Sequence, residues 1–262
     1  MKDFDYEEKK IREMAWHEQK LDEKATLVKR VLHHPLFFEP SRNSFNYVFP
    51  KEQVAKIVES HLKGKVDRLL IAPCGYGDDL KYLGHLANEA CGIDLSPVAT
   101  AQCPSIMKVK VGDILDSGYP NEVFDLVASI LFFHHLLNIG FESFLKEFHR
   151  ILKSGGKLVI LEPSVWYPIN IITRPMKRIL RNPYGEVEDE GPFDPRLMLR
   201  SLRRAGFINI EMRAATFSHC SFYVPLAKLV NRITKPLLNT WPCKYFGWMV
   251  VYWAEKNSDR LA

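Results

Sequence analysis

From Val66 onward the chain alternates short apolar runs with amphipathic stretches, and this alternation restricts its fold more than any other feature. "VDRLLIA", "EACGID", "SIMKVKVGD", "FDLVASI", "KLVILEP", "FINIEMR" and "GWMVVYWAEK" read as seven strands. Between them "DDLKYLGHLA", "SPVATAQ", "GFESFLKEFHRILKSGG" and "DPRLMLRSLRRAG" read as helices. Ser96 is placed to cap the second of these ahead of Pro97, and a glycine pair to close the third. Strands joined through helices need right-handed crossovers, which makes neighbours parallel and covers both faces of the sheet. The expectation is an α/β fold: a doubly wound, seven-stranded, mostly parallel sheet. The stretch before the last strand does not read simply as a crossover helix.

Ahead of the alternation, residues 5 to about 32 are helix-prone and mix Lys and Arg with Asp and Glu, and Pro35 stops that pattern. "PLFFEPSRNSFNYVFP" reads as an aromatic loop or lid. "PKEQVAKIVESHLKG" reads as a helix with Val54, Ile57, Val58 and Leu62 on one face and Gly64 at its end. Residues 1–64 are therefore expected to form an N-terminal helical cap and 65–262 the main domain. Two insertions, about 163–193 and 214–246, each follow a strand. Each is expected to fold over the carboxyl edge of the sheet as a lid.

Composition narrows the function classes. The net charge of +5 and pI of 8.8 are mild. The basic surplus, around Arg174, Lys177, Arg178 and Arg181 and again at Arg200, Arg203 and Arg204, makes no continuous stripe, so a nucleic-acid partner is not expected. Five cysteines without a CxxC pair argue against a zinc site or a disulfide framework and for a reducing compartment. The charged N-terminus does not read as a signal peptide, and no apolar run approaches the roughly 18 residues that span a bilayer. A cytoplasmic location is the expectation.

The chemistry is expected where the strands end. "CGYG" follows the first strand, and the N–H groups of such a turn can hold a carboxylate or phosphate, although taken alone it serves equally as a plain turn. The second strand ends in "CGIDLS", which puts Asp94 about twenty residues further on, in position to accept from ribose hydroxyls. The third ends in "VGDILD", where Asp113 can accept from an adenine amino group. A glycine turn, a ribose acceptor and an adenine acceptor on adjacent strand ends describe an adenosine pocket. A nicotinamide dinucleotide is the rival occupant. It needs a third glycine where Leu80 stands, and its pyrophosphate would meet Asp78 and Asp79.

The ordered set "LLIAPCGYGDDL … CGIDLSPVA … VKVGDILDSGYPNEVFDLVASILFFHHL … FLKEFHRILKSGGKLVILEP … LMLRSLRRAGF" resembles the class I S-adenosylmethionine-dependent methyltransferases. It is most similar to the group that modifies small molecules, lipids and sugars. The resemblance spans roughly residues 66–213 and implies a Rossmann-like fold with S-adenosylmethionine as cofactor. The cofactor-binding set it implies is Ala72, Cys74, Gly75, Gly77, Asp94, Leu95, Asp113, Ile114, Ser129 and Ile130. Gly75 and Gly77 would approach the methionine part, Asp94 the ribose and Asp113 the adenine amino group. Ile114 would pack on the adenine, and Ser129, Ile130 and Leu131 would line the transfer point. The family's acidic residue falls on Ile71 and its first glycine on Pro73.

Methyl transfer asks the protein for alignment and, where the nucleophile carries a proton, for a base. His134 and His135, just past the fourth strand, are the candidates for base or substrate orienter, and each reads equally as a cap or core histidine. Glu162 ends the fifth strand and is a candidate to bind a substrate hydroxyl or orient a histidine. Tyr167, Tyr184 and His219 in the insertions are candidates for the substrate wall or plain lid packing. "VPLAKLVNRITKPLL" can form an amphipathic helix with Leu226, Leu229, Val230 and Ile233 on one face, suited to packing as a lid, to a greasy tunnel or to peripheral membrane contact. These readings lead to a methyltransferase acting on a hydroxyl, amine or carbon of a small metabolite, lipid-linked or a glycan precursor among them. The alternative is a binding or scaffold protein that keeps the fold without turnover.

Overall fold

The computed structural model describes residues 6, 7, 9–11, 40–170, 191–220 and 222–258. Seven strands form one sheet in the order β3-β2-β1-β4-β5-β7-β6: β1 (Val66–Ile71), β2 (Ala87–Asp94), β3 (Lys108–Val111), β4 (Phe124–Ile130), β5 (Leu152–Pro163), β6 (Phe207–Thr216) and β7 (Met249–Lys256). The β1–β2, β2–β3, β1–β4 and β4–β5 pairs are parallel, and β7 runs antiparallel to both of its neighbours. The chain steps outward from β1 to β3 and then returns to β4. The order therefore reverses between β1 and β4, where open sheets of this kind form a crevice at their carboxyl ends.

Alternation along each strand feeds two cores. Leu69, Ile71, Leu126, Ala128, Val159 and Leu161 face one side and pack with Val54, Ile57 and Val58 of the helix α1 (Pro40–His61). Leu70, Val127, Leu158 and Ile160 face the other. There they meet Phe144 and Phe148 of α4 (Glu142–Ile151) and Met198 and Leu202 of α5 (Pro195–Arg204). Two shorter helices, α2 (Leu80–Leu83) and α3 (Pro97–Thr100), follow the first two strands, and Ser96 caps α3 by accepting from the Ala99 N–H at 3.1 Å. α6 (Val224–Thr234) lies between β6 and β7.

Two local expectations change. "PLFFEPSRNSFNYVFP" is not a loop beyond its start: from Pro40 it is helical and continues through Pro50 into the expected helix. A proline inside a helix costs about 3 kcal/mol, so tertiary contacts must offset it. The buried Asn46 donates to the carbonyls of Phe222 (3.0 Å) and Cys220 (3.4 Å), and the Tyr47 ring meets Trp248 edge-on at 5.2 Å. The glycine pair of "LKSGG" does not end a helix either. α4 stops at Ile151, and the register jumps from Phe124↔Leu152 to Leu126↔Lys157, so Ser154, Gly155 and Gly156 form an irregularity within the β4–β5 pairing. The last two strands are antiparallel to each other, which is why no crossover helix joins them.

Asn46→Ala removes both bonds to the 220–222 carbonyls and is expected to destabilise the protein by about 1–3 kcal/mol, read as a lower urea midpoint with unchanged slope.

Candidate functional site

The crevice is built on buried carboxylates that accept from backbone N–H groups. At the tip of β2, Asp94 accepts from Gly75 N at 2.8 Å through one oxygen and from Ser96 N at 2.9 Å through the other. It thereby fixes the turn after β1 and the start of α3 together. Within that turn Cys74 N donates to Ile93 O and Gly77 N to Cys74 O, and the two glycines adopt φ of +49° and +75°. A side chain at Gly77 would put Cβ 2.7 Å from Cδ of Pro104, whereas a Cβ at Gly75 would point into open space. Gly77 is thus needed for packing, and the space beside Gly75, next to Asp94, is open. Cys74 is buried, which pushes its thiol up, and Cys103 donates to Gly75 O at 3.3 Å.

Ile71, at the family's acidic position, is fully buried in the core cluster beside α1. Asp79 and Asp78 are each neutralised from nearby. Lys51 of α1 pairs with Asp79 at 2.7 Å, where burial nonetheless pushes that carboxyl up, and Lys81 pairs with Asp78 at 2.7 Å. The expected repulsion of a pyrophosphate by these two aspartates is therefore weaker than the sequence implied.

Past β3, Asp113 accepts from Leu115 N and from the Tyr6 hydroxyl through one oxygen (2.8 and 2.6 Å), and from Lys10 Nζ through the other (3.2 Å). Burial and this carboxylate hold the Tyr6 phenol well above its usual range, and its ring meets Phe144 edge-on at 5.6 Å. Tyr6 and Lys10 are partners that sequence reasoning missed. Their i, i+4 spacing, which sets two residues on one helix face, was the available signal.

At the next strand ends Ser129 is fully buried, and its hydroxyl has no hydrogen-bond partner among the described residues. Ile130 is buried and Leu131 adopts a positive φ of +58°. Ala72 and Ile114 are buried and Leu95 is half-buried. Glu162, fully buried on β5, grips the turn after β4. It accepts from Phe132 N (2.7 Å) and Phe133 N (2.6 Å) on one oxygen, and from His134 N (3.3 Å) and Nδ1 (2.8 Å) on the other. His135 lies against His134, ring centroids 4.1 Å apart. With Nδ1 donating to the carboxylate, neutral His134 keeps its lone pair on Nε2. Of the two roles considered for Glu162, the geometry is that of a histidine orienter.

Tyr167 and His219 come together, stacked at 5.7 Å and 6°, with Trp248 5.3 Å from His219. The Tyr167 hydroxyl donates to Phe217 O at 2.9 Å, and burial pushes its phenol up. Trp248 was not anticipated as a member of this wall. Tyr184 and the basic cluster from Arg174 to Arg181 lie outside the described residues.

The Glu162–His134 pair gives a direct test. In Glu162→Gln the amide carbonyl keeps the Phe132 and Phe133 N–H groups, and the amide N–H then faces His134. The imidazole is expected to move its proton to Nε2, read from ring nitrogen chemical shifts, with a stability loss of about 1–3 kcal/mol. An unchanged tautomer would show that Glu162 does not orient the ring.

Residues 70–160 match the family model described as a methyltransferase domain. Ajmaline N-methyltransferase of Rauvolfia serpentina is 35% identical over 107 residues, which is 37% of this chain and 36% of that protein, so the match spans about a third of the curated relative. Among solved structures, a methyltransferase of Thermotoga maritima, a possible histamine N-methyltransferase, superposes with a TM-score of 0.62 at 18% identity, covering 88% of this chain and 97% of its own. A phosphoethanolamine N-methyltransferase of Haemonchus contortus superposes at 0.54 and 15% identity, covering 88% and 61%. At these identities the structures establish a shared fold.

Proposed function

We propose that this chain, whose residues 70–160 form a methyltransferase domain on a class I fold, is an S-adenosylmethionine-dependent methyltransferase acting on a small-molecule acceptor. The observation that carries the reading is the joining of Gly75 to Asp94 beside the switch point of the sheet, which ties a glycine turn to a buried acceptor. The residues fit the cofactor on their chemistry. Each Asp94 oxygen has one N–H donor and retains a lone pair for a ribose hydroxyl, Gly75 leaves room, and the unpartnered Ser129 hydroxyl is buried at the neighbouring strand end. Asp113 would take the adenine amino group on its remaining acceptor position, with Tyr6 and Lys10 fixing the carboxylate. Ala72, Cys74, Gly77, Leu95, Ile114 and Ile130 would complete the pocket.

When bound, S-adenosylmethionine supplies a methyl group on a sulfonium, activated for in-line displacement. The chain's part is to orient the acceptor, exclude water and accept a proton. We assign His134 as the base, acting through Nε2 while Glu162 holds Nδ1. A protonatable nucleophile, an amine or a hydroxyl, is the acceptor that needs such a base; the relatives named as N-methyltransferases favour the amine. Tyr167, His219 and Trp248 form an aromatic wall suited to an apolar acceptor body, lipid-linked or glycan-type acceptors included, and Tyr184 is proposed with them.

Calorimetric titration with S-adenosylmethionine tests the reading. Asp94→Asn keeps the backbone clamp in part and loses the anionic ribose acceptor, so affinity is expected to fall about tenfold or more. No binding by the unaltered protein would sink the proposal. His134→Asn retains a donor toward Glu162 but has no base. Release of S-adenosylhomocysteine across amine and hydroxyl acceptors is expected to fall about 10²- to 10⁴-fold with cofactor affinity unchanged. A second reading, a binding protein without turnover, is favoured by the buried apolar Ile71 at the acidic position. It predicts cofactor binding with no product from any acceptor.

A further inference from the structure

α6 presents its apolar side to solvent. The residues it buries are small or polar: Ala227, and Asn231, whose side-chain carbonyl accepts from Thr216 Oγ1 at 2.7 Å. Leu226, Leu229 and Ile233, spaced i, i+3, i+7, are exposed instead, Leu229 by 53% and Ile233 by 63%. Leu237, in the turn that directly follows, and Trp241 are also exposed, Trp241 by 80%, and Tyr223 at the helix start is half-exposed. A helix that serves only as a lid would turn these residues inward and set its polar ones outside.

Charge accompanies the stripe. Lys228, Arg232, Lys235 and Lys244 stand in the same segment, and no acidic residue occurs anywhere between Glu211 and Glu255. The segment also sits at the edge that carries the candidate site. It leaves the sheet at Thr216 and returns through Trp248, whose N–H donates to Thr216 O at 2.8 Å. Leu238 O meanwhile accepts from Ala214 N along the outer strand β6.

We propose that α6 and the turn after it dock on the surface of an anionic lipid bilayer. Leucine and isoleucine would enter the acyl boundary, Trp241 and Tyr223 would lie at the headgroup level, and the four cations would face lipid phosphates. Charge complementarity selects this occupant. A second copy of the chain would bring four cations against four, and the cores of protein interfaces are depleted in lysine. α6 has 11 residues, too few for the roughly 20 that span a bilayer, so the contact it makes is peripheral. The inference does not depend on methyl transfer.

Co-sedimentation of the full chain with phosphatidylcholine vesicles, with and without phosphatidylglycerol, tests it. Binding is expected only to the anionic vesicles and weakens as salt is raised. L229S combined with I233S, and separately R232Q combined with K235Q, should each lower partition about tenfold or more. All four positions are exposed, so the thermal unfolding midpoint should stay in place. Absence of binding to anionic vesicles, equal binding by the apolar double variant, or light scattering that shows a dimer dispersed by that variant would overturn the proposal.

Discussion

The carboxylate of Asp94 is the pin on which the crevice turns. It is buried at the tip of β2, with one oxygen on the amide of Gly75 and the other on that of Ser96. One side chain therefore sets the conformation of the turn leaving β1 and the start of the helix leaving β2. Buried N–H groups left without partners cost about 1–3 kcal/mol each, so neither loop can relax independently. The positive φ angles of Gly75 and Gly77 and the close approach of Pro104 follow from this anchoring.

Glu162 repeats the device three strands along the sheet. Its carboxylate collects the amides of Phe132, Phe133 and His134 and then the His134 ring. Concentrated donors of this kind are what make a buried carboxylate tolerable in a protein interior. The same bonds give the imidazole one orientation and one tautomer. Structure and chemistry are thus not separate roles at this residue: the group that holds the loop also prepares the candidate base.

The side of the sheet covered by α1 and the segment between β6 and β7 is held differently. α1 runs through Pro50 because Asn46 and Tyr47 are fastened to the segment between β6 and β7. His219 and Trp248 of that segment pack with Tyr167, which follows β5, while α6 leaves its leucines outside. The inner surface is aromatic and packed, and the outer one is aliphatic, basic and open. Which way the amphipathic stretch around α6 turns is decided by this packing and not by its own pattern.

The sequence alone determined the seven strands of a mostly parallel sheet, the Ser96 cap and the placing of Gly75, Asp94, Asp113, Ser129 and Glu162 at strand ends. These follow from local periodicity and turn chemistry, which act over a few residues. Only the tertiary structure decided what each carboxylate binds. Asp113 meets Tyr6 and Lys10, which lie more than a hundred positions away, and Glu162 is reserved for the turn after β4. It also decided that "PSRNSFNYVFP" is helix and that the apolar face of α6 looks outward. For Asp113, Glu162 and the start of α1 the reason is a contact between segments distant in the chain, which a local pattern does not specify.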